Sequence, residues 1–314
     1  MGTLTATGLL YHDGTLIENS VTATRAIFGY GSQTPYYNIV NLVNNYGDVA
    51  TDTTGVGTAR GTLAAGGYGG DKAIFGYGNT GSFTAITNLV SNTGVVGTDV
   101  TGVGTARSNL AAASYGGDKA IFGYGRSGSG PLNLTNLVSN IGAVGTDVTG
   151  VGTARYNPAA AGYGGDKAIF GYGYSSTTFN TYSLTNLVSN TGVVGTDITG
   201  VGQVRLSLAA ASYGGDKAVF GYGNINSQGA TPTSVTNKVS NVGVVSADTT
   251  GVGTARYGLA SAGYGGDKAV FGYGNTGSAY QNVTNKVSNV GVVSADTTGV
   301  GTAREFLAAA SYSS

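Results

Sequence analysis

The four-residue phrase Phe-Gly-Tyr-Gly occurs six times in this chain and limits the folds that the chain can adopt. The copies are separated by 47, 47, 48, 50 and 51 residues and begin at Phe28, Phe75, Phe122, Phe170, Phe220 and Phe271. A second phrase, Gly-Val-Gly-Thr-Ala-Arg or a close variant, keeps the same spacing and ends at Arg60, Arg107, Arg155, Arg205, Arg256 and Arg304. Self-similarity at this period predicts a repeat architecture in which the units share one continuous core.

Each unit contains four segments that are typical of short strands. In one unit, an Ala-rich segment at 109–115 and an aromatic segment at 119–124 flank a Gly-Gly-Asp turn at 116–118. Third and fourth strands are predicted at 132–139 and 143–151, with Asn-Ile-Gly between them. Glycine supplies positive φ angles at turns, and aromatic and β-branched residues favour strands. We therefore expect an all-β fold, a six-bladed β-propeller of four-stranded antiparallel blades.

The order of these motifs resembles that of kelch repeats. Arg107, the small residues at 111–113, the Gly-Gly pair at 116–117 and the aromatic phrase at 122–125 follow one another as in a kelch unit. The resemblance covers about residues 22–314 and implies propeller blades; the regular units with divergent loops are also similar to propeller proteins of environmental phages and viruses. The chain departs from the kelch pattern because it contains no Trp. The partners of animal kelch adaptors are therefore not carried over.

The two ends of the chain carry complementary parts of one unit. The last unit stops after its Ala-rich strand at 307–312, and the first copy begins at its second strand at 25–30. We expect these two strands to pair, so that residues 22–56 and 304–314 form a composite blade. This pairing would close the ring, leave no open sheet edge and make residues 21–314 a single propeller.

Residues 1–20 precede the repeats and contain the only histidine, His12. We consider two interpretations of this arm, a frayed terminus and an anchor that docks the propeller onto a larger assembly. The arm lacks the basic region and long apolar segment of a secretory signal, and the chain contains no apolar run of about 18 residues. We therefore expect neither a signal peptide nor membrane insertion.

The composition argues against several classes of function. Charged residues make up 10% of the chain, the formal net charge is zero and no cysteine is present. Nucleic-acid binding calls for clustered Lys and Arg, and thiolate metal sites and disulfides require cysteine. A single Asp per phrase among neutral residues also differs from a calcium loop, in which oxygen ligands are closely spaced. We expect no nucleic-acid partner, no cofactor and no metal site.

Most charged residues recur once per unit. Besides the six arginines, two sets of aspartates keep the repeat spacing: Asp71, Asp118, Asp166, Asp216 and Asp267, and Asp52, Asp99, Asp147, Asp197, Asp248 and Asp296. Such charges are most simply structural, so we expect Arg and Asp to pair within or between blades, with Asx or ST turns at the second set. The alternative is a ring of ligands for an ion around a central channel. Lys238 and Lys286 replace a Leu of the other units without an evident functional reason.

The aromatic residues divide into repeated and variable ones. Six tyrosines belong to the Phe-Gly-Tyr-Gly phrase and six others end the Ala-rich strands, and we expect both sets to pack between blades. The loop between the second and third strands varies in length and carries aromatic residues among Ser, Thr, Asn and Gln: Tyr36, Tyr37, Phe83, Tyr174, Phe179, Tyr182 and Tyr280. This composition suits a sugar or a protein surface, and ordinary loop variation is the alternative.

These features favour a non-enzymatic structural or adhesion module. The first hypothesis is a virion component, such as a phage head or tail appendage, because the neutral polar composition suits an exterior and lysis releases proteins without a signal peptide. Its partners would be other virion proteins, further copies of the chain, and a host surface glycan or receptor. The alternatives are a cytoplasmic kelch-like scaffold for protein partners, a free lectin, and a propeller enzyme, which would need paired carboxylates that the variable loops lack.

Overall fold

The computed structural model describes residues 24–33 and 35–313, together with the backbone of 10–12 and 15–17. Within these ranges the chain forms β-strands and no helix, so no helix there is long and apolar enough to cross a membrane. The strands pair antiparallel throughout the described residues. The all-β prediction is confirmed, and the many small sheets are compatible with a propeller-like fold.

The strands are numbered in chain order. They are β1 (Leu10–His12), β2 (Thr15–Ile17), β3 (Thr24–Gly29), β4 (Val40–Val43), β5 (Ala64–Tyr68), β6 (Lys72–Asn79), β7 (Phe83–Val90), β8 (Ala111–Tyr115), β9 (Lys119–Gly123), β10 (Arg126–Ser127), β11 (Gly130–Pro131), β12 (Thr135–Val138), β13 (Ala159–Tyr163), β14 (Lys167–Ser175), β15 (Asn180–Val188), β16 (Ala209–Tyr213), β17 (Lys217–Gly221), β18 (Thr236–Val239), β19 (Ala260–Tyr264), β20 (Lys268–Asn275), β21 (Tyr280–Val287) and β22 (Ala308–Ser313). β1 and β2 pair with each other within the predicted N-terminal arm. The rest of the arm, and with it the anchoring hypothesis, lies outside the described residues.

Six three-stranded sheets repeat one plan, in which an Ala-rich first strand pairs with a second strand and the second with a third. We number them sheet 1 (β5, β6, β7), sheet 2 (β8, β9, β12), sheet 3 (β13, β14, β15), sheet 4 (β16, β17, β18), sheet 5 (β19, β20, β21) and sheet 6 (β22, β3, β4). In sheet 6, β22 pairs with β3 from Ala308 opposite Gly29 to Ser313 opposite Thr24. Strands from the two ends of the chain therefore belong to one sheet.

The fourth strand expected in each unit is present only as two isolated bridges. In sheet 2, the segment predicted as a strand at 143–151 contacts the third strand where Val144 faces Val138 and where Val148 faces Thr135. The same two bridges recur in the other five sheets. Gly145 and Asp147 lie between the two bridging residues of sheet 2, and both residue types disfavour strands. The six repeated sheets are thus three-stranded, rather than four-stranded as expected.

The Phe-Gly-Tyr-Gly phrase packs each sheet against the next. The ring centroids of Tyr124 in sheet 2 and Phe170 in sheet 3 lie 5.1 Å apart. A Cβ atom added to Gly123 would lie 2.6 Å from the Phe170 ring, so glycine is the residue that leaves room for that ring. The same Tyr–Phe contact joins the other neighbouring sheets, including Tyr273 with Phe28. The phrase is therefore required by packing between sheets.

The hydrophobic core lies between neighbouring sheets rather than within one of them. One buried cluster combines Tyr68 and Ile74 of sheet 1 with Leu110, Phe122 and Val138 from the following unit. Each first strand also contacts the first strands of the preceding and the following sheet, and this order runs from sheet 1 to sheet 6 and back to sheet 1. No sheet in the described chain therefore has a core of its own.

Candidate functional site

A buried arginine joins each pair of neighbouring sheets. The guanidinium of Arg60 lies 4.3 Å from the ring centroid of Tyr30 in sheet 6. Its Nε donates a hydrogen bond of 2.9 Å to the carbonyl of Tyr77, and Nη2 donates one of 2.7 Å to Oδ1 of Asn88, both in sheet 1. Arg60 is fully buried and has lost its contacts with water. The aromatic face and these acceptors compensate its charge instead.

The other five repeat arginines are arranged in the same way. All six are fully buried, and each guanidinium lies 4.1–4.6 Å from the ring centroid of a phrase tyrosine. Five of the six donate to a buried Asn of the third strand: Arg60 to Asn88, Arg155 to Asn186, Arg205 to Asn237, Arg256 to Asn285 and Arg304 to Asn41. These asparagines were not predicted from the sequence, although an Asn recurs at the same position of the third strand in all six units, as Asn-Leu-Val or Asn-Lys-Val.

The second set of aspartates connects to the arginines through these asparagines. Asp99 accepts hydrogen bonds from Nδ2 of Asn88 at 2.9 Å and from Oγ1 of Thr58 at 2.6 Å. Desolvation raises the pKa of Asp99, but the hydrogen bonds from Thr58 and Asn88 outweigh it and hold that pKa below its ordinary value. These carboxylates are thus occupied in a structural network between sheets.

The structure departs in part from two expectations about these charges. Only one Arg–Asp pair of the described residues lies within 4 Å, that of Arg155 and Asp197 at 3.8 Å, because an Asn stands between the two charges elsewhere. The Asx or ST turns are also replaced by contacts with the neighbouring unit, as between Asp99 and Thr58. An Asp followed by Thr resembles a local turn in sequence. Only the packing of the sheets shows that the Asp carboxylate accepts hydrogen bonds from a Thr of the neighbouring unit.

The first set of aspartates lies at the opposite end of the sheets from the variable loops. In each Gly-Gly-Asp-Lys turn the lysine Nζ lies 2.5–2.7 Å from the carboxylate of the preceding aspartate. Both side chains of Asp71 and Lys72 are partly exposed, at 35% and 41%. These pairs are solvated and local, and such pairs stabilise a fold little.

Lys238 and Lys286 hold neighbouring sheets together. Lys286 donates to the carbonyl of Tyr46 and to the carboxylate of Asp48, each at 2.9 Å, and so joins sheet 5 to sheet 6. Lys238 donates to the carbonyl of Val290 at 3.1 Å and joins sheet 4 to sheet 5. The leucines at the same position pack against a turn of the next unit, as Leu89 does against Gly142. These contacts between sheets give a structural reason for the two lysines that was not evident from the sequence.

A closed cycle of backbone hydrogen bonds joins one residue from each unit. The N–H of each of these residues donates to the carbonyl of the one in the preceding unit, at 2.6–3.0 Å, in the order Phe306, Gly258, Ser207, Asn157, Asn109, Thr62 and again Phe306. These residues line one pocket together. A second pocket is lined by Ala, Gly and Ser of the first strands from all six sheets. The repeated Arg and Asp residues do not line either pocket, which argues against the expected alternative of an ion-ligand ring.

Residues that differ between units meet pairwise at one end of the sheets. The residue after each repeat arginine forms a bridge with the residue after a Phe-Gly-Tyr-Gly phrase: Gly61 with Asn79, Ser108 with Arg126, Tyr156 with Tyr174, Leu206 with Asn224, Tyr257 with Asn275, and Glu305 with Ser32. We call these six pairs and the adjoining loops between second and third strands the loop face. The loops were predicted from the sequence, but the residue after each arginine was not.

The seven predicted aromatic residues all lie on this face, but they differ in exposure. Phe179 is 74% exposed, whereas Tyr174 is only 6% exposed. The remaining five, Tyr36, Tyr37, Phe83, Tyr182 and Tyr280, are partly buried. The hydroxyl of Tyr36 lies 3.3 Å from Asn79 Oδ1, and that of Tyr182 lies 2.7 Å from Thr178 Oγ1. Phe179 is thus the most accessible member, and several of the others are held by contacts within the face.

Four side chains from three consecutive sheets form a cluster on the loop face. The guanidinium of Arg126 lies 5.9 Å from the ring centroid of Phe83 and 5.3 Å from that of Tyr156. Tyr156 packs edge-to-face on Tyr174, with centroids 5.4 Å apart. Arg126 is exposed, and the described residues place no carboxylate within 4 Å of it. We call Phe83, Arg126, Tyr156 and Tyr174 the arginine–aromatic cluster.

Glu305 is the one carboxyl group among the six pairs. Its Oε2 is buried and has no hydrogen-bond partner among the described residues, beside Gly258 and Phe306. Desolvation raises the pKa of Glu305 to about 7, although the nearby Asn275 side chain lowers it. A single carboxyl group with no second one in these pairs does not form the acid–base pair of a glycosidase.

The described part of the chain contains no group of three or more His, Cys, Asp or Glu side chains arranged to hold a metal ion. No protein-family model matches the chain, and no curated protein matches its sequence. The resemblance to kelch repeats therefore rests on the motifs of the units alone.

Proposed function

We propose that the chain is a closed six-bladed β-propeller that acts as a non-enzymatic binding module through its loop face. The ring architecture is supported by the pairing of β22 with β3, by the cyclic order of first-strand contacts and by the closed cycle of backbone hydrogen bonds. Each unit then forms one blade, and the composite blade is sheet 6 with its bridged segment.

One observation carries the binding proposal: the two variable positions of each unit meet at the same end of every sheet, while the packing between sheets is repeated six times. Function concentrates where a rigid scaffold presents variable side chains. The face offers partly exposed aromatic rings among neutral hydroxyl and amide groups, which suit the apolar faces and hydroxyl groups of sugars. We propose a host surface glycan as the ligand, with the module displayed on a particle such as a virion.

The proposal is tested by a glycan array and by adsorption of the purified full chain to host cells. The expected result is binding to a defined set of glycans that is weakened when Phe179, the most exposed aromatic residue, is replaced by Ser. Lys119→Ser, in a turn at the other end of sheet 2, is the matched control and should bind as the wild type does. An array without signal, together with capture of one protein partner, would favour the scaffold alternative instead.

A further inference from the structure

We infer that the arginine–aromatic cluster is a subsite for a carboxylated sugar, such as a uronic or sialic acid residue of an acidic glycan. The inference rests on the proposed glycan binding and names the chemical class of the ligand. It concerns Phe83, Arg126 and Tyr156, which line the accessible part of the cluster.

The charge of Arg126 is unusual for its position. The equivalent residues of the other units are uncharged: Ser32, Asn79, Tyr174, Asn224 and Asn275. Arg126 is also the single charged residue in the six loops between second and third strands. The repeat architecture does not need a charge here, because five of the six units do without it. A structural role in the repeat therefore does not explain Arg126.

The guanidinium is held in place without being neutralised. It lies 5.9 Å from the ring centroid of Phe83 and 5.3 Å from that of Tyr156, and no carboxylate of the described residues approaches within 4 Å. Flanking rings reduce the rotamer freedom that an exposed arginine loses on binding. A planar guanidinium with five donors matches a carboxylate through two parallel hydrogen bonds.

The surroundings favour a sugar over an acidic peptide. Ring faces next to the guanidinium provide apolar surface for the C–H face of a pyranose, and the adjoining loop carries Ser127 and Ser129 as neutral residues with hydroxyl groups. An acidic protein surface usually calls for several cations, and the adjoining loops hold Arg126 alone. One fixed cation with flanking rings suits one carboxylate on a cyclic, otherwise neutral ligand.

The experiment measures binding of four sugars to the full chain by calorimetry and by saturation-transfer NMR. The probes are 3′-sialyllactose against lactose, and trigalacturonate against galactotriose, so that each acidic sugar has a neutral counterpart. We expect at least one acidic sugar to bind about tenfold or more tightly than its counterpart, and to bind more weakly as ionic strength rises.

Two substitutions test the role of Arg126. Arg126→Asn introduces the residue that three other units carry at this position, so the fold should tolerate it, and it should remove the preference for the acidic sugar. Arg126→Lys keeps the charge but loses the planar fork, so it should retain part of the preference. Lys238→Leu removes one positive charge at a remote position, using the residue of the first four units, and should leave binding unchanged.

Three results would overturn the inference. Equal binding of acidic and neutral sugars, or unchanged acidic-sugar binding by Arg126→Asn, would leave the glycan module standing without this subsite. Binding of a glutamate-rich peptide as tight as that of the acidic sugars would assign Arg126 to a protein partner. Absence of binding to any sugar, acidic or neutral, here and on the array would reject both this inference and the proposed glycan binding.

Discussion

Arg304 and Tyr30 lie 274 residues apart in the chain, yet Nε of Arg304 donates a hydrogen bond of 2.7 Å to the backbone carbonyl of Tyr30. The same side chain lies over the ring of Tyr273 and donates to Asn41 at 2.8 Å. Its contacts are those that Arg155 makes with Tyr124, Tyr172 and Asn186 inside the chain. The junction between the last and the first repeat is thus built like an internal junction.

This equivalence predicts equal energetic costs at the two junctions. Arg304→Lys and Arg155→Lys should each lower the free energy of unfolding by about 2–4 kcal/mol, because lysine cannot satisfy the buried acceptors or cover the tyrosine ring in the same way. Urea unfolding followed by tyrosine fluorescence measures both variants. A near-neutral Arg304→Lys beside a costly Arg155→Lys would indicate that the terminal junction is open.

The first glycine of each Phe-Gly-Tyr-Gly phrase contacts the phenylalanine ring of the next unit, and it should tolerate no side chain. Gly123→Ala places a methyl group 2.6 Å from the ring of Phe170, so we expect overpacking to lower the free energy of unfolding by about 1–3 kcal/mol. Gly128→Ala is the control, because a Cβ there meets no atom within 4 Å, and it should change stability by less than about 0.5 kcal/mol. Comparable urea midpoints for the two variants would contradict the packing account.

Glu305 should make the protein more stable in mild acid than in mild base. Desolvation raises its folded-state pKa to about 7, above the ordinary value of 4.5, so the folded state holds a proton that the unfolded state has released between these pH values. The free energy of unfolding should therefore fall as pH rises from about 4.5 to about 7, by on the order of 1 kcal/mol after solvent screening of this partly exposed group. Urea midpoints at pH 5 and pH 8 measure the difference, and Glu305→Gln should abolish this contribution. An identical pH dependence in the variant would show that Glu305 is not its source.

Lys286 should control the ionisation of Asp48 in the neighbouring unit. The hydrogen bond from Lys286, helped by Asn44, holds the pKa of the exposed Asp48 carboxyl below its ordinary value of 3.8. The interaction of the ionised Asp48 carboxylate with Lys286 therefore stabilises the folded state above pH 3.8. This stabilisation is lost as the pH falls through the lower folded-state pKa of Asp48. In Lys286→Leu the pKa of Asp48 should rise towards 3.8, as measured by carboxyl NMR titration. Lys238→Leu should leave it unchanged, and a shift in that control would show a general charge effect.

The sequence was sufficient for the class of fold and for the pairing of the end strands. Repeat spacing, turn glycines and the half-units at the ends predicted an all-β chain in which β22 pairs with β3, as observed. The expected fourth strand, such as that at 143–151, is only a pair of bridges. Its valines favour a strand while its glycines and aspartate do not, and a sequence pattern gives no measure of which tendency prevails.

The loop face was harder to predict because its pairs are distant in sequence. The aromatic residues of the variable loops were visible, but Tyr156 follows a repeat arginine and meets Tyr174 only through the folding of the unit. The buried asparagines were missed because their arginine partners are also distant in sequence. Asn88 lies in an apolar strand, and its role depends on Arg60, which lies outside the strands and 28 residues away in the chain.

The central claim is that the last strand closes the ring by pairing with the first repeat strand, and one measurement tests it directly. The natural chain has no cysteine, so Ala26→Cys with Ser311→Cys introduces a single thiol pair at residues that lie directly opposite each other in sheet 6. Opposed residues in an antiparallel pair come close enough for a disulfide, whereas the offset pair Ala26→Cys with Ala310→Cys points to opposite faces. Mass spectrometry of the oxidised, monomeric protein should show an intramolecular disulfide in the opposed pair and free thiols in the offset pair. Free thiols or intermolecular disulfides in the opposed pair would contradict ring closure.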